Sequence, residues 1–323
     1  MNENKSKIKF FACALIVLEC MIFGVAFIAV KYLLENRFPP FLLLTIRFSI
    51  GSLILLISGL IFCKSTKLTT TIGKISRLKS KELIGGGISG VILFIAFALQ
   101  TVGADFTTPA KNSLFTEIFV IIVPIVNMIM LKKFSAKPLI AAAITFLGVT
   151  LVLDIFHDNS NFNVGDGLTI ICGVMFAFQF IILDRFANQK QDGEKINAFN
   201  FTFIQLLVVA FLATITTLIF ERNEFGSIEW TGAAIGWLCF LGICATAIAY
   251  LLQFFAQERI SADLTSVLSC SDSLFALILS IIIGFDAFSW MLVCGGMLML
   301  AGMVLAALPI DKLFRKKKTD EEE

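Results

Sequence analysis

Ten long apolar stretches run through almost the whole chain of 323 residues. Each is close to the length of about 20 residues that a helix needs to cross the hydrocarbon core of a bilayer. Only 15% of the residues are charged, whereas about a quarter is usual in soluble domains. The sequence therefore predicts an all-α polytopic membrane protein with ten transmembrane helices. They occupy residues 10–31, 41–62, 83–102, 107–131, 138–156, 165–184, 197–220, 231–255, 263–284 and 287–309.

The distribution of lysine and arginine predicts how the chain is inserted. If the N-terminus is cytoplasmic, the inside segments carry 21 of the 26 basic residues and the outside segments carry two. The positive-inside rule favours this arrangement, because basic loops are retained in the cytoplasm. We therefore expect an integral, multi-pass protein of the cell (plasma) membrane with both termini cytoplasmic. Residues 1–9 would form the N-terminal segment, and residues 310–323 a disordered charged tail.

An internal repeat divides the apolar stretches into two sets of five. A shift of 158 positions aligns Ala104-Asp105-Phe106-Thr107 with Ala262-Asp263-Leu264-Thr265. Because five is odd, the second copy would enter the membrane in the opposite direction. The sequence thus predicts two inverted five-helix repeats, residues 10–156 with helices 1–5 and residues 165–309 with helices 6–10. Many secondary transporters have this organisation, with the substrate site between the repeats near the midplane.

Several other classes of function are not expected. The eight cysteines contain no CxxC pair and His157 is the only histidine, so neither a disulfide framework nor a metal site is predicted. The segment 85–90 matches GxGxxG, but it opens a membrane helix and follows no strand. Gly86 and Gly90 are spaced for close helix packing instead. We expect no enzyme activity, no cofactor and no binding of nucleic acid.

Three acidic residues lie deep inside the apolar stretches. Glu19, Glu117 and Asp272 are each about 13 to 15 Å from the end of their stretch at 1.5 Å per residue. A charge near the bilayer centre costs at least about 2.5 to 3.5 kcal/mol, so such residues face protein or water. We predict that these acids line the pathway of a substrate or ion.

Polar residues accompany these acids on one side of the fourth and ninth helices. The fourth presents Lys111, Asn112, Thr116 and Glu117, and the ninth presents Ser269, Asp272 and Ser273. Hydroxyl groups in membrane helices often bond to their own backbone or to a neighbouring helix. The shared orientation of two stripes nevertheless favours a polar cavity between the repeats.

Helices 1 and 2 supply further candidates. Glu19, Phe23, Phe27 and Lys31 recur at every fourth position, which places them in a slowly turning stripe. This stripe would line the pathway or form a packing seam, and both interpretations stay open. Arg47, about 9 Å from the outer end of helix 2, would pair with an acid or hold a substrate carboxylate.

The same residues resemble a known family. The pattern comprises Phe23-Gly24 in helix 1, Arg47 after a proline in helix 2, Phe97-Ala98 through Pro124, and Tyr250 through Gly302 in the second half. Over residues 11–309 it is similar to the drug/metabolite transporter superfamily, in particular its two-domain EamA-type ten-helix permeases. Phe23 stands where that family usually has tryptophan, and Ser271-Asp272 where a proline is common.

The resemblance implies a secondary active transporter that exports small polar metabolites, with amino acids the first expectation, by alternating access between the repeats. Its partners would be the small-molecule substrate, membrane lipid and a coupling proton. An alternative is efflux of organic cations or drugs, in which Glu19, Glu117 or Asp272 exchanges protons for the substrate. A third is a membrane scaffold or sensor that transports nothing.

Overall fold

The computed structural model describes residues 2–308 except 64–78, 105, 108, 133, 154–161, 192 and 285–288. Within these ranges the chain forms thirteen α-helices and one short strand pair. Residues 310–323, predicted as a disordered tail, lie outside the described part. The helices are α1 (Asn2–Glu35), α2 (Pro40–Cys63), α3 (Ser80–Ala104), α4 (Pro109–Thr116), α5 (Phe119–Leu131), α6 (Ala136–Val152), α7 (Val164–Ala187), α8 (Ala198–Phe220), α9 (Gly232–Gly242), α10 (Ala249–Gln257), α11 (Ala262–Ser269), α12 (Ser271–Ile283) and α13 (Trp290–Ala307).

Nearly all of the described chain is helix of a length and composition that suit a bilayer. Nine apolar helical segments in the described ranges are long enough to cross it, and α6, with 17 residues, is a shorter tenth. The prediction of a polytopic helical membrane protein is confirmed, and α6 lies where the fifth of the ten predicted spans was expected. The exception to an all-α fold is the antiparallel pair β1 (Lys190–Gln191) and β2 (Glu194–Lys195) between α7 and α8.

Three of the predicted spans are interrupted. The fourth breaks at Glu117–Ile118 between α4 and α5, and the ninth breaks at Cys270 between α11 and α12. The eighth contains a π-helical segment, Ile243–Ile248, between α9 and α10. The sequence predicted continuous helices here, because hydropathy responds to apolar content and does not register how the backbone is hydrogen-bonded.

The two halves use corresponding helix pairings. The third span of the first half, α3, packs on α7 and α8 of the second half. The corresponding span of the second half, formed by α9 and α10, packs on α1 and α2 of the first half. The fourth span lies against α7, and the ninth against α1. Two pairings join matching helices, α2 with α8 and α6 with α13. The bundle is thus built as two related sets of five spans that pack against each other.

Glycines allow the closest of these contacts. A Cβ atom added to Gly86 would lie 2.7 Å from the carbonyl oxygen of Phe201, and one on Gly90 would lie 2.7 Å from that of Gln205. No real Cβ atom fits at such a distance, so α3 and α8 pack backbone to backbone. The prediction that Gly86 and Gly90 serve helix packing is confirmed.

Two buried acids that the sequence reading did not select hold helix N-termini. Both carboxylate oxygens of Glu221 accept N–H groups at the start of α2, from Phe41 at 2.8 Å and Leu42 at 2.7 Å. Glu82 accepts the N–H of Asn197 at 3.0 Å, just before α8, and the Nδ2 of Asn200 at 2.7 Å. Because the first N–H groups of a helix lack intrahelical partners and carry partial positive charge, these acids stabilise helix ends.

Candidate functional site

The three midplane acids come together from three different spans. Glu19 lies on α1, Glu117 at the break between α4 and α5, and Asp272 in the first turn of α12. Glu19 is 2% exposed and Glu117 4% exposed, whereas Asp272 is half-buried. Asp272 lies within electrostatic range of both glutamates. We call these three residues the acid cluster.

Side chains that bond back to the backbone shape the ninth span where it breaks. The Ser271 Oγ donates to the carbonyl of Leu268 at 2.7 Å, and the Ser273 Oγ donates to that of Cys270 at 2.9 Å. Such bonds compete with the helical pattern and bend helices. From α1, the Cys20 Sγ approaches the carbonyl oxygen of Leu268 at 3.5 Å. Because Cys20 follows Glu19, this contact fixes Glu19 beside the break.

The break in the fourth span is packed by a glycine. A Cβ atom on Gly173 of α7 would lie 2.6 Å from the carbonyl oxygen of Phe115 and 2.7 Å from that of Thr116. The N–H of Val120 turns back to the Glu117 carbonyl at 3.0 Å, three residues earlier. The Glu117 carboxyl group lies beside the side chains of Ser273 and Cys270. The two breaks therefore face each other across the interface between the halves.

The acid cluster retains unused hydrogen-bonding capacity. Within the described residues, Oε2 of Glu19, Oε2 of Glu117 and Oγ of Ser269 have no hydrogen-bond partner. Neither glutamate forms a salt bridge with any residue that the structure describes. A buried polar atom without a partner costs about 1–3 kcal/mol, and more if it is charged. A proton or a cationic group bound here would offset that cost.

Arg47 pairs with no acid among the described residues, so the first of its two predicted roles is not found there. Its Nε donates to the Thr246 Oγ1 at 3.1 Å and its Nη2 to the Ala245 carbonyl at 3.2 Å, both in the π-helical segment. Its guanidinium carbon lies 5.1 Å from the ring centre of Phe48 and 5.3 Å from that of Phe97. Arg47 is 5% exposed, and aromatic faces and a widened helical turn stabilise its charge.

An aromatic cluster connects Arg47 to the acid cluster. Phe23 packs edge-on against Tyr250 at 6.1 Å, and Phe97 packs edge-on against Phe176 at 5.5 Å. Phe48 lies between them, 5.5 Å from Phe97 and 6.3 Å from Tyr250. Tyr250 is in electrostatic range of both Arg47 and Glu19. Arg47 and Glu19 thus both lie near this aromatic cluster.

Two residues of the fourth-helix stripe join helices in this structure. The Thr116 Oγ1 donates to the Asn112 carbonyl at 2.8 Å and accepts from the Gln100 Nε2 at 3.1 Å. The Asn112 Nδ2 donates to the Gln100 carbonyl at 3.3 Å. Both residues therefore tie α4 to α3. The side chain of Lys111 lies outside the described residues.

The stripe on helix 1 does not stay on one face. Glu19 is buried and Phe23 half-buried, but Phe27 is 46% exposed and Lys31 is exposed. Each step of four residues turns the helix by roughly 40° beyond a full circle, so three steps carry the stripe about a third of the way round. Only its first two members reach the site.

The acid cluster is closely packed. Two shallow grooves on the described part of the protein lie on the outer surface of α3, near Leu83–Ile92, and of α7, near Phe162–Ile171. None of the candidate residues lines them. Glu19 and Glu117 are instead enclosed between helices in this conformation.

Several residues of the site were not predicted from the sequence. Thr246 and Tyr250 anchor the aromatic side of the site, and Cys20 and Gly173 pack against the breaks. A signal for the break in the ninth span is present in the sequence, because five weak helix formers follow one another in Ser269-Cys270-Ser271-Asp272-Ser273. The π-helical segment, ICATAI, carries no such signal.

Comparisons with known proteins agree with this architecture. The chain is 23% identical over 296 residues to an uncharacterized transporter of Archaeoglobus fulgidus, covering 91% of this chain and 85% of that protein. It is 22% identical over 298 residues to the uncharacterized transporter YetK of Bacillus subtilis, covering 91% and 84%. A solved crystal structure superposes with a TM-score of 0.73 at 19% identity, over 92% of this chain and 98% of the other, which supports the fold.

A family model matches the chain twice, over residues 10–154 and 163–308. These two segments agree with the two sets of five spans and place the acid cluster and the aromatic cluster between them. Cys20 contacts the carbonyl groups of Leu268 and Ser269 beside one break as Gly173 contacts those of Phe115 and Thr116 at the other, so Glu19 corresponds to Cys172. The edge-on pair Phe23–Tyr250 corresponds in the same way to the pair Phe176–Phe97. Because the matched segments cover nearly the whole sequence, the chain is a transporter that belongs to the EamA-like transporter family.

Proposed function

We propose that this protein is a secondary active exporter of small polar metabolites that carry an amino group, with amino acids as the first candidates. The observation that supports the proposal most strongly is the acid cluster, which gathers three carboxyl groups from both repeats at two helix breaks. Helix breaks inside the membrane occur where the backbone is buried in protein or lines a cavity. Carboxylates without a paired cation are suited to hold an ammonium group or a proton.

Alternating access is the mechanism that this arrangement favours. Glu19 and Glu117 belong to the first repeat and Asp272 to the second, so a ligand among them would touch both halves. Movement of one repeat against the other would expose the ligand first on one side of the membrane and then on the other. The close packing around the acids fits an occluded stage of such a cycle.

The opposite insertion of the two repeats, with both termini cytoplasmic, is part of the proposal. It is supported by the distribution of basic residues, with 21 of 26 on one side, and by the matched helix pairings of the two halves. Fusion of a reporter to each terminus tests it. Both reporters should report the cytoplasm, and a periplasmic or extracellular C-terminus would contradict the inverted arrangement.

The competing candidate is proton-coupled efflux of organic cations. The acid cluster and the neighbouring rings of Phe23 and Tyr250 would suit a cation, since aromatic faces attract positive charge. An organic cation would leave the buried Arg47 without a role in binding, whereas an amino acid has a carboxylate for it. The position of Arg47 therefore favours the amino acid.

The test is transport by purified protein in sealed liposomes. Vesicles loaded with unlabelled amino acids should accumulate the matching labelled amino acid by counterflow, and a quaternary ammonium compound should accumulate far less. The Glu117→Gln variant should lose this exchange, while Glu82→Gln, a change at a buried acid that caps a helix, should retain it. Accumulation of the quaternary cation alone under an imposed proton gradient would replace the proposal with the competing one.

A further inference from the structure

Arg47 faces a feature that occurs in only one of the two repeats, within the part of the chain that the structure describes. A Cβ atom on Gly242 of α9 would lie 3.2 Å from the Arg47 carbonyl oxygen, much as one on Gly90 of α3 would lie 2.7 Å from that of Gln205. Gln205 is therefore the structural counterpart of Arg47 in the second half. The span opposite Gln205 is the continuous helix α3, whereas the span opposite Arg47 contains the π-helical segment.

The π-helical segment supplies both hydrogen-bond acceptors that hold the guanidinium group. The Thr246 Oγ1 donates to the carbonyl of Leu241, five residues earlier, at 2.8 Å, and its lone pairs are directed towards Arg47. The Ala245 carbonyl accepts from the Arg47 Nη2 at 3.2 Å. Segments of this kind are rare and often mark functional sites, because the extra residue widens the turn and releases a carbonyl group.

Contacts on both sides fix this arrangement in place. Thr246 is fully buried, and a Cβ atom on Gly51 of α2 would lie 2.8 Å from its methyl group. The rings of Phe48 and Phe97 cover the guanidinium group. Arg47 thus has little freedom to choose another rotamer, and Thr246 sets the direction in which its remaining N–H groups point.

The unused donors of Arg47 suit an anionic group. Arginine has five N–H donors in a planar fork, and the contacts with Thr246 and Ala245 occupy two of them. Such a fork binds carboxylates in a bidentate manner. Tyr250 is within electrostatic range of both Arg47 and Glu19, so a small zwitterion could place its carboxylate at Arg47 and its ammonium group at the acids.

We propose that Arg47 is the carboxylate-recognising residue of the transport site and that Thr246, through the π-helical segment, is the residue that positions it. This inference rests on the proposed function and narrows its substrate class to zwitterions with a free carboxylate. Gln205 takes the place of Arg47 in the other repeat, so among the described residues the site has one anion-binding side and would hold its substrate in one orientation.

The experiment measures binding to purified protein in detergent, independently of transport. Each member of a panel of amino acids is compared with its own α-amide, which keeps the ammonium group but lacks the carboxylate. The wild type should bind at least one amino acid about tenfold more tightly than its amide, as expected for a charge-assisted bidentate contact. Arg47→Gln should abolish this preference.

Thr246→Val keeps the shape of the side chain but removes the hydroxyl group, and should reduce the preference about twofold to fivefold. Thr246→Ser should restore it. The matched control is Thr217→Val, because the Thr217 hydroxyl is also buried, donates to the Ala213 carbonyl at 2.9 Å and lies 3.0 Å from the Thr45 hydroxyl on α2. This control should keep the wild-type preference. Gel filtration and thermal unfolding show that each variant is folded.

Three results would overturn the inference: equal binding of amino acids and amides by the wild type, an unchanged preference in folded Thr246→Val protein, or an equal loss in Thr217→Val. Its failure is distinguishable from failure of the proposed function. A protein that binds amino acids with this preference but exchanges none in liposomes supports the Arg47 assignment and contradicts the transport proposal. A protein that exchanges amino acids and their amides equally does the reverse.

Discussion

The two helix breaks occupy matching places in the fold but differ in the residue that faces them. At the fourth span the facing helix α7 presents Cys172 and Gly173, and at the ninth span α1 presents Glu19 and Cys20. In both places a small residue lets a neighbouring helix approach carbonyl groups close to the break. Only the ninth-span break receives an additional carboxyl group.

The two halves share their aromatic packing contacts but differ in their charged residues. The aromatic pairs are conserved in geometry between the halves, since Phe23 with Tyr250 and Phe176 with Phe97 are both edge-on contacts. The charges are not matched, because Glu19 and Arg47 come from the first half and have uncharged counterparts. Under the proposed mechanism, the related backbone would let the two repeats move against each other, and the unmatched side chains would hold the substrate in one orientation.

The largest effect is expected when a break loses its acid. Glu117→Gln and Asp272→Asn should each reduce transport about a hundredfold, because each removes a charge that the ligand contacts inside a low-dielectric site. Counterflow in liposomes, corrected for the amount of folded protein, measures the loss. Unequal results, with one variant active as wild type, would show that only one break serves the site.

The second-largest effect is expected on stability, when a side chain added at Gly173 crowds the fourth-span break and destabilises the fold. Gly173→Ala introduces a Cβ atom 2.6 Å from the Phe115 carbonyl oxygen, and overpacking of this kind costs about 2 kcal/mol. The matching change in the other half, Cys20→Ala, removes only weak S–H contacts and should cost less than about 1 kcal/mol. Thermal unfolding in detergent compares the two. Equal midpoints would contradict the account of Gly173.

A substitution that gives α1 the same residue as α7 beside its break should reduce transport by less than the loss of Glu117 or Asp272 does. Glu19→Cys gives α1 the residue that α7 has at the corresponding position. We expect about a tenfold loss of transport with stability kept or raised, since a buried carboxyl group without a paired cation is removed. Cys172→Ser serves as the control in the other half and should transport as the wild type does. Full activity of Glu19→Cys would remove Glu19 from the site.

The smallest effect is expected at the hydroxyl group that joins α3 to α4. Thr116→Val removes the acceptor of the Gln100 Nε2 and should lower the free energy of unfolding by about 1 kcal/mol. Because Thr116 packs helices in this structure, transport per folded molecule should change little. A loss of transport at unchanged stability would instead show that Thr116 contributes to the substrate pathway.

Much of this organisation could be predicted from the sequence, because its signals are local. Runs of apolar residues give the spans, and a single ionisable residue such as Glu19 or Asp272 deep within a run indicates burial against protein. The breaks, the π-helical segment and the partner of Arg47 could not be predicted, since they depend on which helices meet. The role of Glu221 illustrates this, because the backbone N–H groups that it accepts at the start of α2 lie about 180 residues away along the chain.

The most direct test of alternating access at the breaks is the accessibility of Ser269, whose buried Oγ lies next to the turn at Cys270 and has no partner among the described residues. Ser269→Cys, in a background where all eight native cysteines are alanine, is treated with a membrane-impermeant thiol reagent added to one side of sealed vesicles at a time. The account predicts reaction from either side, with a transported amino acid shifting the two rates in opposite directions. Reaction from one side only, or rates that rise or fall together, would contradict it.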